Sequence, residues 1–300
     1  MIYYKYPIYR PPNEADSLLI QATEGCSYKC TFCIGNEGKP FKIRKVSDIK
    51  KDLDAAFNSF GNTIKRIFLL DGNAFIMNHN DIIDITEYAY NIFPRLNRVS
   101  AYAHAKDILL KTDEELLKIR KSGFNRVYLG IETGDDDLLL SINKQVKAEE
   151  IIKAIHKIYN ADITLSATII LGLTGSDKEK SYKHAVKTAE LINSIKPIKP
   201  VPWYISALTL MIPEGTQIKK ELANNKFKTM SNIDCLKELL VLLEHLDDDL
   251  NKCIFRANHA SNYLNLESNN LAKTKNKLIE ELNNAINNPN TLKYEFLRGL

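Results

Sequence analysis

Residues 18–36 read LLIQATEGCSYKCTFCIGN, an apolar run followed by three closely spaced cysteines. The run Leu18–Ala22 is short and apolar, which predicts a buried β-strand. Cys26, Cys30 and Cys33 come directly after it with the spacing Cys-x3-Cys-x2-Cys, so three thiols share one short loop. A secreted disulfide framework would spread an even number of cysteines along the chain, whereas clustering of this kind indicates a metal site.

Downstream of this segment, short apolar runs alternate with stretches of helical periodicity through the first two-thirds of the chain. The alternation predicts βαβ units on a parallel sheet. Because six units are too few for a closed eight-fold barrel, we expect an α/β fold, a partial (β/α)6 TIM-type barrel, with a doubly wound six-stranded sheet as the alternative. Either fold binds ligands at the carboxyl ends of its strands. The predicted strands are Leu18–Ala22, Arg66–Leu70, Arg98–Ala103, Arg126–Ile131, Thr164–Leu171 and Trp203–Leu210, and the predicted helices are Ser47–Phe60, Asn80–Ile92, Thr112–Ser122, Ala148–Tyr159 and Ser176–Ser194.

Two helix starts carry a capping signal, Ser47 before an aspartate and Thr112 before two acidic residues. After Pro213 the strand pattern stops. Two helices are predicted there, Cys235–Leu250 and Thr274–Ile286, separated by a polar stretch over residues 255–270. We therefore predict a barrel core over residues 1–213 and a helical extension over residues 214–300 that covers it.

The bulk composition is that of an ordinary globular protein. The 300 residues are 44% hydrophobic and 26% charged, and the formal net charge of +4 permits an anionic substrate without implying nucleic acid. The amino-terminal MIYYKYPIYR does not resemble a signal peptide. No stretch approaches the roughly 18 to 20 apolar residues of a membrane span. We expect a cytoplasmic protein without a membrane partner, and the sequence predicts no oligomeric state.

The cysteine spacing indicates an iron–sulfur cluster with an open site. Three thiolates can hold three irons of a cubane cluster, whereas electron-transfer clusters usually have four cysteines. An iron without a protein ligand can bind S-adenosylmethionine through its amino and carboxylate groups. The alternatives are a structural zinc site, which would need a fourth ligand although the first histidine is His79, and coincidence.

This segment closely resembles the radical S-adenosylmethionine (radical SAM) superfamily, in which the three-cysteine loop follows strand one and an aromatic residue, here Phe32, precedes the last cysteine. The resemblance implies a [4Fe–4S] cluster and S-adenosylmethionine as cofactors, and a reductant such as ferredoxin or flavodoxin. It implies reductive cleavage of S-adenosylmethionine to methionine and a 5′-deoxyadenosyl radical, which removes a hydrogen atom from the substrate. We expect a small substrate, and the net charge of +4 permits an anionic one.

The resemblance extends to further strand ends. Asp71-Gly72-Asn73-Ala74 resembles, with changed letters, the Gly-Gly-Glu-like motif that binds the amino group of S-adenosylmethionine. The stretch from Gly130 to Gly134 resembles the Gly-x-Glu-Ser/Thr-Gly segment of the branch that includes oxygen-independent coproporphyrinogen oxidases and tRNA-modifying enzymes. The resemblance implies cofactor contacts by Glu132, Lys144 and Ser166. An ordinary turn, a structural ion pair, a solvated lysine and plain packing are the structural alternatives.

Residues for substrate binding are less sharply indicated. Tyr102 and His104 fall on one face near the end of the third predicted strand. The polar stretch contributes Arg256, Asn258, His259 and Asn262, of which Arg256 and His259 suit a carboxylate or phosphate. A capping loop that satisfies its own backbone is the alternative.

The remaining cysteines limit the chemistry. Only Cys235 and Cys253 are left, which argues against a second cluster and hence against sulfur insertion, and the early first strand argues against a preceding cobalamin domain. We do not expect a nucleic-acid partner, because Lys42–Lys45 and Lys118–Lys121 are the best basic clusters and each is typical of a solvated face. Modification of tRNA or another macromolecule is the first alternative function, and a non-enzymatic electron-transfer or carrier protein is the second.

Overall fold

A computed structural model of the chain describes residues 4–36 and 38–299. Eight strands form one sheet in the order β1-β4-β5-β6-β7-β8-β9-β10, and β2 pairs with β3 in a small antiparallel ribbon. In the eight-stranded sheet the pairs β1–β4, β4–β5, β5–β6, β7–β8 and β8–β9 are parallel, while β9 and β10 are antiparallel. The strands are β1 Leu18–Gln21, β2 Thr23–Glu24, β3 Lys42–Ile43, β4 Arg66–Leu70, β5 Arg98–Ala103, β6 Phe124–Glu132, β7 Thr164–Leu171, β8 Trp203–Thr209, β9 Cys253–Ala257 and β10 Leu266–Ser268.

Helices fill most of the connections between the parallel strands, as the predicted βαβ pattern requires. None of the helices in the described part of the chain is long and apolar enough to cross a membrane. The helices are α1 Val46–Phe60, α2 His79–Ile92, α3 Ala105–Leu109, α4 Asp113–Lys121, α5 Asp136–Ser141, α6 Ala148–Asn160, α7 Lys178–Ser194, α8 Gln217–Ala223, α9 Asn232–Glu244 and α10 Leu271–Asn287.

The six predicted strands and five predicted helices of the first two-thirds are confirmed, with ends that differ by two residues at most. The cap at Thr112 is confirmed: its hydroxyl accepts from the amide of Glu115, and the Glu115 carboxylate accepts from the amide of Thr112. The cap at Ser47 is wrong, because α1 already begins at Val46 and no side chain caps it.

The carboxyl-terminal third differs from the prediction. The polar stretch over residues 255–270 is not a loop between helices, because it contains most of β9 and all of β10. In β9 the residues Cys253, Phe255 and Ala257 are buried and Ile254 and Arg256 are half-buried, so the alternation of a strand is present but short. The predicted helix Cys235–Leu250 runs over Asn232–Glu244 instead. The extension thus adds two strands to the sheet as well as helices.

The chain divides into two compact units. Unit 1 takes the described residues up to Lys29, together with Gly35–Leu129 and Lys153–Leu165. Unit 2 takes Cys30–Ile34, Gly130–Ile152 and the described residues from Ser166 onward. The predicted division after residue 213 stays a prediction.

A fully buried carboxylate, Glu14, organises the polar part of the interior of unit 1. Its oxygens accept hydrogen bonds from Ser100 of β5 at 3.0 Å, from Tyr128 of β6 at 2.6 Å and from Ser17, and it pairs with Arg98 at 2.9 Å. A buried charge is tolerated only when it is paired and hydrogen-bonded in this way. Glu14 therefore connects the segment before β1 to two strands of the sheet.

Replacing Glu14 by alanine is expected to lower the free energy of unfolding by about 3–5 kcal/mol, because it removes the acceptor carboxylate of Arg98 and of three buried hydroxyls. Urea titration followed by circular dichroism measures the loss. Glu87→Ala, at an exposed position of α2, is the control and should change the free energy by about 0.5 kcal/mol or less. Equal effects of the two substitutions would contradict a stabilising role of Glu14.

Candidate functional site

In unit 1 the end of β4 is held against the start of the cysteine segment by Asp71. One carboxylate oxygen of Asp71 accepts from the amide of Gln21 at 2.9 Å, from the backbone of Gly25 at 3.3 Å and from the ammonium of Lys39 at 2.9 Å. The other oxygen accepts from the backbone of Gly72 at 3.0 Å. Both charged side chains are nearly inaccessible, so the pair is an internal tether rather than a surface ion pair.

Gly72 and Asn73 follow this tether. A Cβ atom at Gly72 would collide with the Gly25 carbonyl and with Cys26, so glycine is required for the close approach of the two loops. The side chain of Asn73 is buried and donates to Asp107, while its carbonyl oxygen has no hydrogen-bond donor among residues 4–36 and 38–299. Gly72 thus makes its close approach to the protein's own cysteine loop, and contacts of Asp71, Gly72, Asn73 and Ala74 with a cofactor stay predictions.

His104 and Tyr102 lie at the end of β5 in unit 1. His104 is buried, its Nδ1 caps the amino end of α3, and its ring stacks on Tyr28 with the centroids 3.6 Å apart. The hydroxyl of Tyr28 in turn donates to Asp107 at 3.2 Å. Tyr102 is half-buried and meets Phe68 edge-on at 5.0 Å. These contacts give both residues a packing role, and their predicted contact with substrate stays a prediction.

In unit 2 the segment Cys30–Ile34 is anchored by its backbone and by one aromatic ring. The amide of Thr31 donates to the carbonyl of Ile142 at 3.0 Å, and the carbonyl of Thr31 accepts from Ile218 at 3.0 Å. Phe32 packs against a buried apolar cluster, so the aromatic residue before the last cysteine fixes this segment in unit 2. The cluster consists of Ile142, Ile170 and Leu173, with Leu138 and Leu210 packed against it.

Glu132 and Lys144 form a buried ion pair in unit 2. The ammonium of Lys144 lies 2.7 Å from a Glu132 oxygen, and both side chains are less than a tenth exposed. Glu132 adopts a left-handed φ of 65°, and a Cβ at Gly130 would collide with its carboxylate. The sequence named Glu132 and Lys144 separately, and the structure brings them together. Ser166, on β7 in the same unit, is buried, and its contact with the cofactor stays a prediction.

The two residues after Glu132 bind α7. The hydroxyl of Thr133 lies 2.7 Å from Nδ1 of His184, and the amide of Gly134 donates to the hydroxyl of Thr188 at 3.0 Å. A Cβ at Gly134 would collide with the backbone of α7. The Gly-x-Glu-Thr-Gly pattern is therefore also a packing pattern, in which each glycine makes room for a specific neighbour.

Sequence reasoning missed the next member of this network, Glu238. Its carboxylate is buried in α9, accepts from the amide of Gly172 at 2.7 Å and from the hydroxyl of Ser181, and lies 3.6 Å from Nε2 of His184. The one available signal was a glutamate on the apolar side of a helix. Through His184 and Thr133, Glu238 connects α9 to the strand end that carries Glu132.

The residues predicted for substrate binding in the polar stretch have structural partners. The guanidinium of Arg256 donates to the carbonyl of Ser268 at 2.7 Å and to the Asn269 side chain at 2.7 Å, which places it across the edge formed by β9 and β10. Asn258 is exposed and donates to Glu267 at 3.2 Å. Substrate binding by Arg256 and Asn258 stays a prediction.

His259 and Asn262 are bound in the turn after β9. Nδ1 of His259 accepts from the amide of Ser261 at 3.1 Å. Asn262 is buried, donates to the carbonyl of Ala207 at 2.9 Å and accepts from the hydroxyl of Thr209 at 2.9 Å. These bonds join the turn to β8, which is the capping role named as the alternative for this segment, and the substrate role of both residues stays a prediction.

The donor set of the cysteine segment fits an iron–sulfur cluster in its chemistry. None of the three cysteines forms a disulfide; Cys26 and Cys30 are half-buried and Cys33 is exposed. Burial raises the pKa of Cys30 to about 11, while Lys144 lowers it and Glu132 raises it by smaller amounts. Within the described ranges no group of three His, Cys, Asp or Glu side chains is arranged as a metal cage. The fit therefore rests on the thiol chemistry and on the spacing of the cysteines, and metal binding to them would release their protons.

Comparison with known proteins adds a family match and distant relatives. The family model of the Radical SAM superfamily matches residues 20–185, more than half of the chain. The tRNA-2-methylthio-N(6)-dimethylallyladenosine synthase of Ehrlichia chaffeensis is 25% identical over 197 residues, which are 60% of this chain and 42% of that protein. The ribosomal protein uS12 methylthiotransferase RimO of Petrotoga mobilis is 24% identical over 260 residues, which are 77% of this chain and 56% of that protein. The chain thus spans about half the length of these relatives.

Solved structures share the fold. Coproporphyrinogen III oxidase (HemN) of Escherichia coli superimposes with a TM-score of 0.54 at 16% identity, over 76% of this chain and 52% of that one. Methylornithine synthase (PylB) superimposes with a TM-score of 0.53 at 16% identity, over 77% of this chain and 63% of that one. At such identities the likeness concerns the fold, which is the partial TIM-type α/β barrel expected from the sequence.

Replacing Lys144 by methionine is expected to lower the free energy of unfolding by about 3–5 kcal/mol, because the buried carboxylate of Glu132 loses its counterion. Urea unfolding of the cluster-free protein measures it. Adding Glu132→Leu to the same chain should recover most of the loss, since no charge is then left unpaired. Lys118→Met, in the exposed pair with Glu114, is the control and should cost less than about 1 kcal/mol. A double variant no more stable than Lys144→Met would contradict the pairing.

Proposed function

Since the chain belongs to the radical SAM superfamily, whose members are enzymes that bind a [4Fe–4S] cluster and S-adenosylmethionine, we propose that Cys26, Cys30 and Cys33 hold the cluster. We further propose that the enzyme removes a hydrogen atom from a small anionic substrate. The observation that carries the proposal is the segment of three closely spaced cysteines, none of them in a disulfide, after the first strand and inside the region that the family model matches. When bound, the cluster and S-adenosylmethionine supply a one-electron reductive cleavage that produces methionine and the 5′-deoxyadenosyl radical, with the electron coming from ferredoxin or flavodoxin.

The chain's own residues contribute binding and orientation. The unsatisfied carbonyl oxygen of Asn73 is a buried acceptor, and it suits the ammonium group of S-adenosylmethionine. The Glu132 carboxylate is held in one position by Lys144, and its second oxygen suits a ribose hydroxyl or an ammonium. Ser166, buried on β7, is proposed to contact the adenosine part. Fixed groups of this kind orient the cofactor, while the radical chemistry is the cofactor's own.

The names of the relatives support a second candidate, modification of tRNA or of a protein. The basic clusters of this chain support it weakly, because Arg44 is paired with Asp52 at 2.6 Å and Lys118 with Glu114 at 2.9 Å. Paired surface cations offer less attraction to phosphates than a free basic patch. Stimulation of cofactor cleavage by bulk tRNA, and not by small metabolites, would favour this second candidate.

We expect the anaerobically reconstituted protein to bind about four irons and four sulfides per chain. Cys26→Ala, Cys30→Ala and Cys33→Ala should each abolish the cluster, because a cubane held by three thiolates has no spare protein ligand. Iron and sulfide analysis with the visible absorption band measures it. Cys235→Ala and Cys253→Ala are the matched controls and should retain the full content. A full cluster in the Cys30 variant would sink the assignment.

With dithionite as reductant, the protein should convert S-adenosylmethionine slowly into 5′-deoxyadenosine and methionine, as chromatography measures. Glu132→Gln should keep the cluster but weaken cofactor binding about tenfold, because a charge-assisted hydrogen bond is lost. Glu179→Gln, on the exposed face of α7, should leave the dissociation constant unchanged. An unaltered constant in the Glu132 variant would reject its role, and absence of cofactor binding by the wild-type protein would favour an electron-transfer protein.

A further inference from the structure

Unit 2 contains a cavity of about 670 Å³ at the carboxyl ends of β7 and β8. Gly172, which follows β7, and residues 209–212, which end β8, form one side of it. The segments 227–232 and 289–298 of the extension contribute the other sides. The volume lies in the range of about 300–1,000 Å³ that small-molecule sites occupy, and the ends of parallel strands are where such sites occur.

The walls of the cavity combine polar side chains with an adaptable apolar part. The apolar part consists of Met211, Ile212, Phe227, Met230 and Leu292, among others. Its two methionines adapt to ligands of varied outline, because thioether side chains are flexible and polarisable. This part of the wall therefore suits the apolar body of a ligand that also carries a polar group.

One positive charge in the cavity is not neutralised. Arg298 pairs with Glu295 at 2.7 Å and donates to the Leu210 carbonyl at 3.0 Å, so its positive charge is already paired within the protein. Lys293 also lines the cavity, and its ammonium has no carboxylate within ion-pair distance in the described part of the chain. Burial and the charge of Lys293 lower the pKa of His259, so that imidazole adds no second positive charge at neutral pH.

The cavity adjoins the packing that holds the cysteine segment within the same unit. Leu210 lines the cavity and packs against the apolar cluster of Ile142, Ile170 and Leu173, against which Phe32 also packs. The cavity and the residue that precedes Cys33 are thus connected through one apolar cluster. A radical reaction requires a substrate held close to the cofactor, and this connection is why the cavity is a candidate for the substrate.

We propose that this cavity binds the substrate, an organic anion with an apolar body, and that Lys293 binds its carboxylate or phosphate headgroup. Only the identification of this ligand as the substrate rests on the proposed function; binding of an anion in the cavity does not depend on it. It assigns to Lys293 the headgroup contact that sequence analysis assigned to Arg256, whose guanidinium is occupied at the edge of the sheet.

Titration calorimetry of the anaerobic holoprotein with decanoate, decyl phosphate and decanol tests the site. At least one of the two anions should bind, with decanol at least about tenfold weaker, because only a charged headgroup engages Lys293. Lys293→Gln should weaken the anion about tenfold and leave decanol unchanged, while Lys293→Arg should restore most of the affinity. Lys277→Gln, an equal loss of charge at a largely exposed position of α10, should change nothing. The stronger of the two anions identifies the headgroup.

Met230→Trp should narrow the cavity and weaken binding of all three probes, and circular dichroism shows whether that variant folds. If it does not fold, the two Lys293 variants decide. No binding to the wild-type protein, or equal losses in Lys293→Gln and Lys277→Gln, would overturn the inference. Substrate-free cleavage of S-adenosylmethionine, measured on the wild-type protein and on the exposed control Lys277→Gln, should be the same in both. A protein that cleaves the cofactor but binds no probe fails this inference alone, and one that binds the probe without cleaving the cofactor fails the proposed function alone.

Discussion

The buried carboxylate of Asp71 accepts hydrogen bonds from Gln21, Gly25 and Lys39 near the start of the cysteine segment. It also accepts one from the backbone amide of Gly72, the next residue in the chain. This interaction determines where Cys26 lies relative to β4, because Gly72 must pass Cys26 more closely than any side chain would allow. A solvated aspartate could not hold a loop so firmly, since surface ion pairs contribute little. The position of the first cysteine therefore depends on a charge that the fold has taken out of water and paired.

A second buried ion pair of this kind lies in unit 2 at the end of β6. Asp71 and Glu132 are both acidic residues at a left-handed φ, of 82° and 65°, and each is paired with a buried lysine, Lys39 or Lys144. Such a conformation costs a non-glycine residue about 1–3 kcal/mol, which persists only where surrounding contacts over-determine it. The ion pairs supply those contacts. Each strand end thus holds its backbone and its buried carboxylate in one defined geometry, as the proposed recognition of a zwitterionic cofactor requires.

A layer of packing lies behind these strand ends in unit 2 and connects them to the extension. Thr133, His184 and Glu238 connect β6 to α7 and α9, and Glu238 also fixes the amide of Gly172 at the rim of the cavity. The cavity is connected to the residues proposed to bind the cofactors in two places. Gly172 is hydrogen-bonded to Glu238, and Leu210 packs against the cluster that also contacts Phe32. Binding and cofactor residues in this unit are therefore held by one continuous set of buried contacts.

The sequence alone determined the barrel strands and the cysteine segment proposed to hold the cluster, because both signals are local. An apolar run of five to eight residues indicates burial, and a Cys-x3-Cys-x2-Cys spacing indicates donor chemistry without reference to the rest of the chain. It missed β9, whose alternating burial extends over only five residues. It named Glu132 and Lys144 without pairing them, and it identified neither the partners of Asp71 nor Glu238. The sequence did not predict the cavity either, because its lining comes from parts of the chain that are far apart in sequence, mainly residues 172, 209–212, 227–235 and 289–298. Only the tertiary structure decided these features, because pairing of buried charges and enclosure of space depend on which distant segments the sheet brings together, and no periodicity in the chain records that.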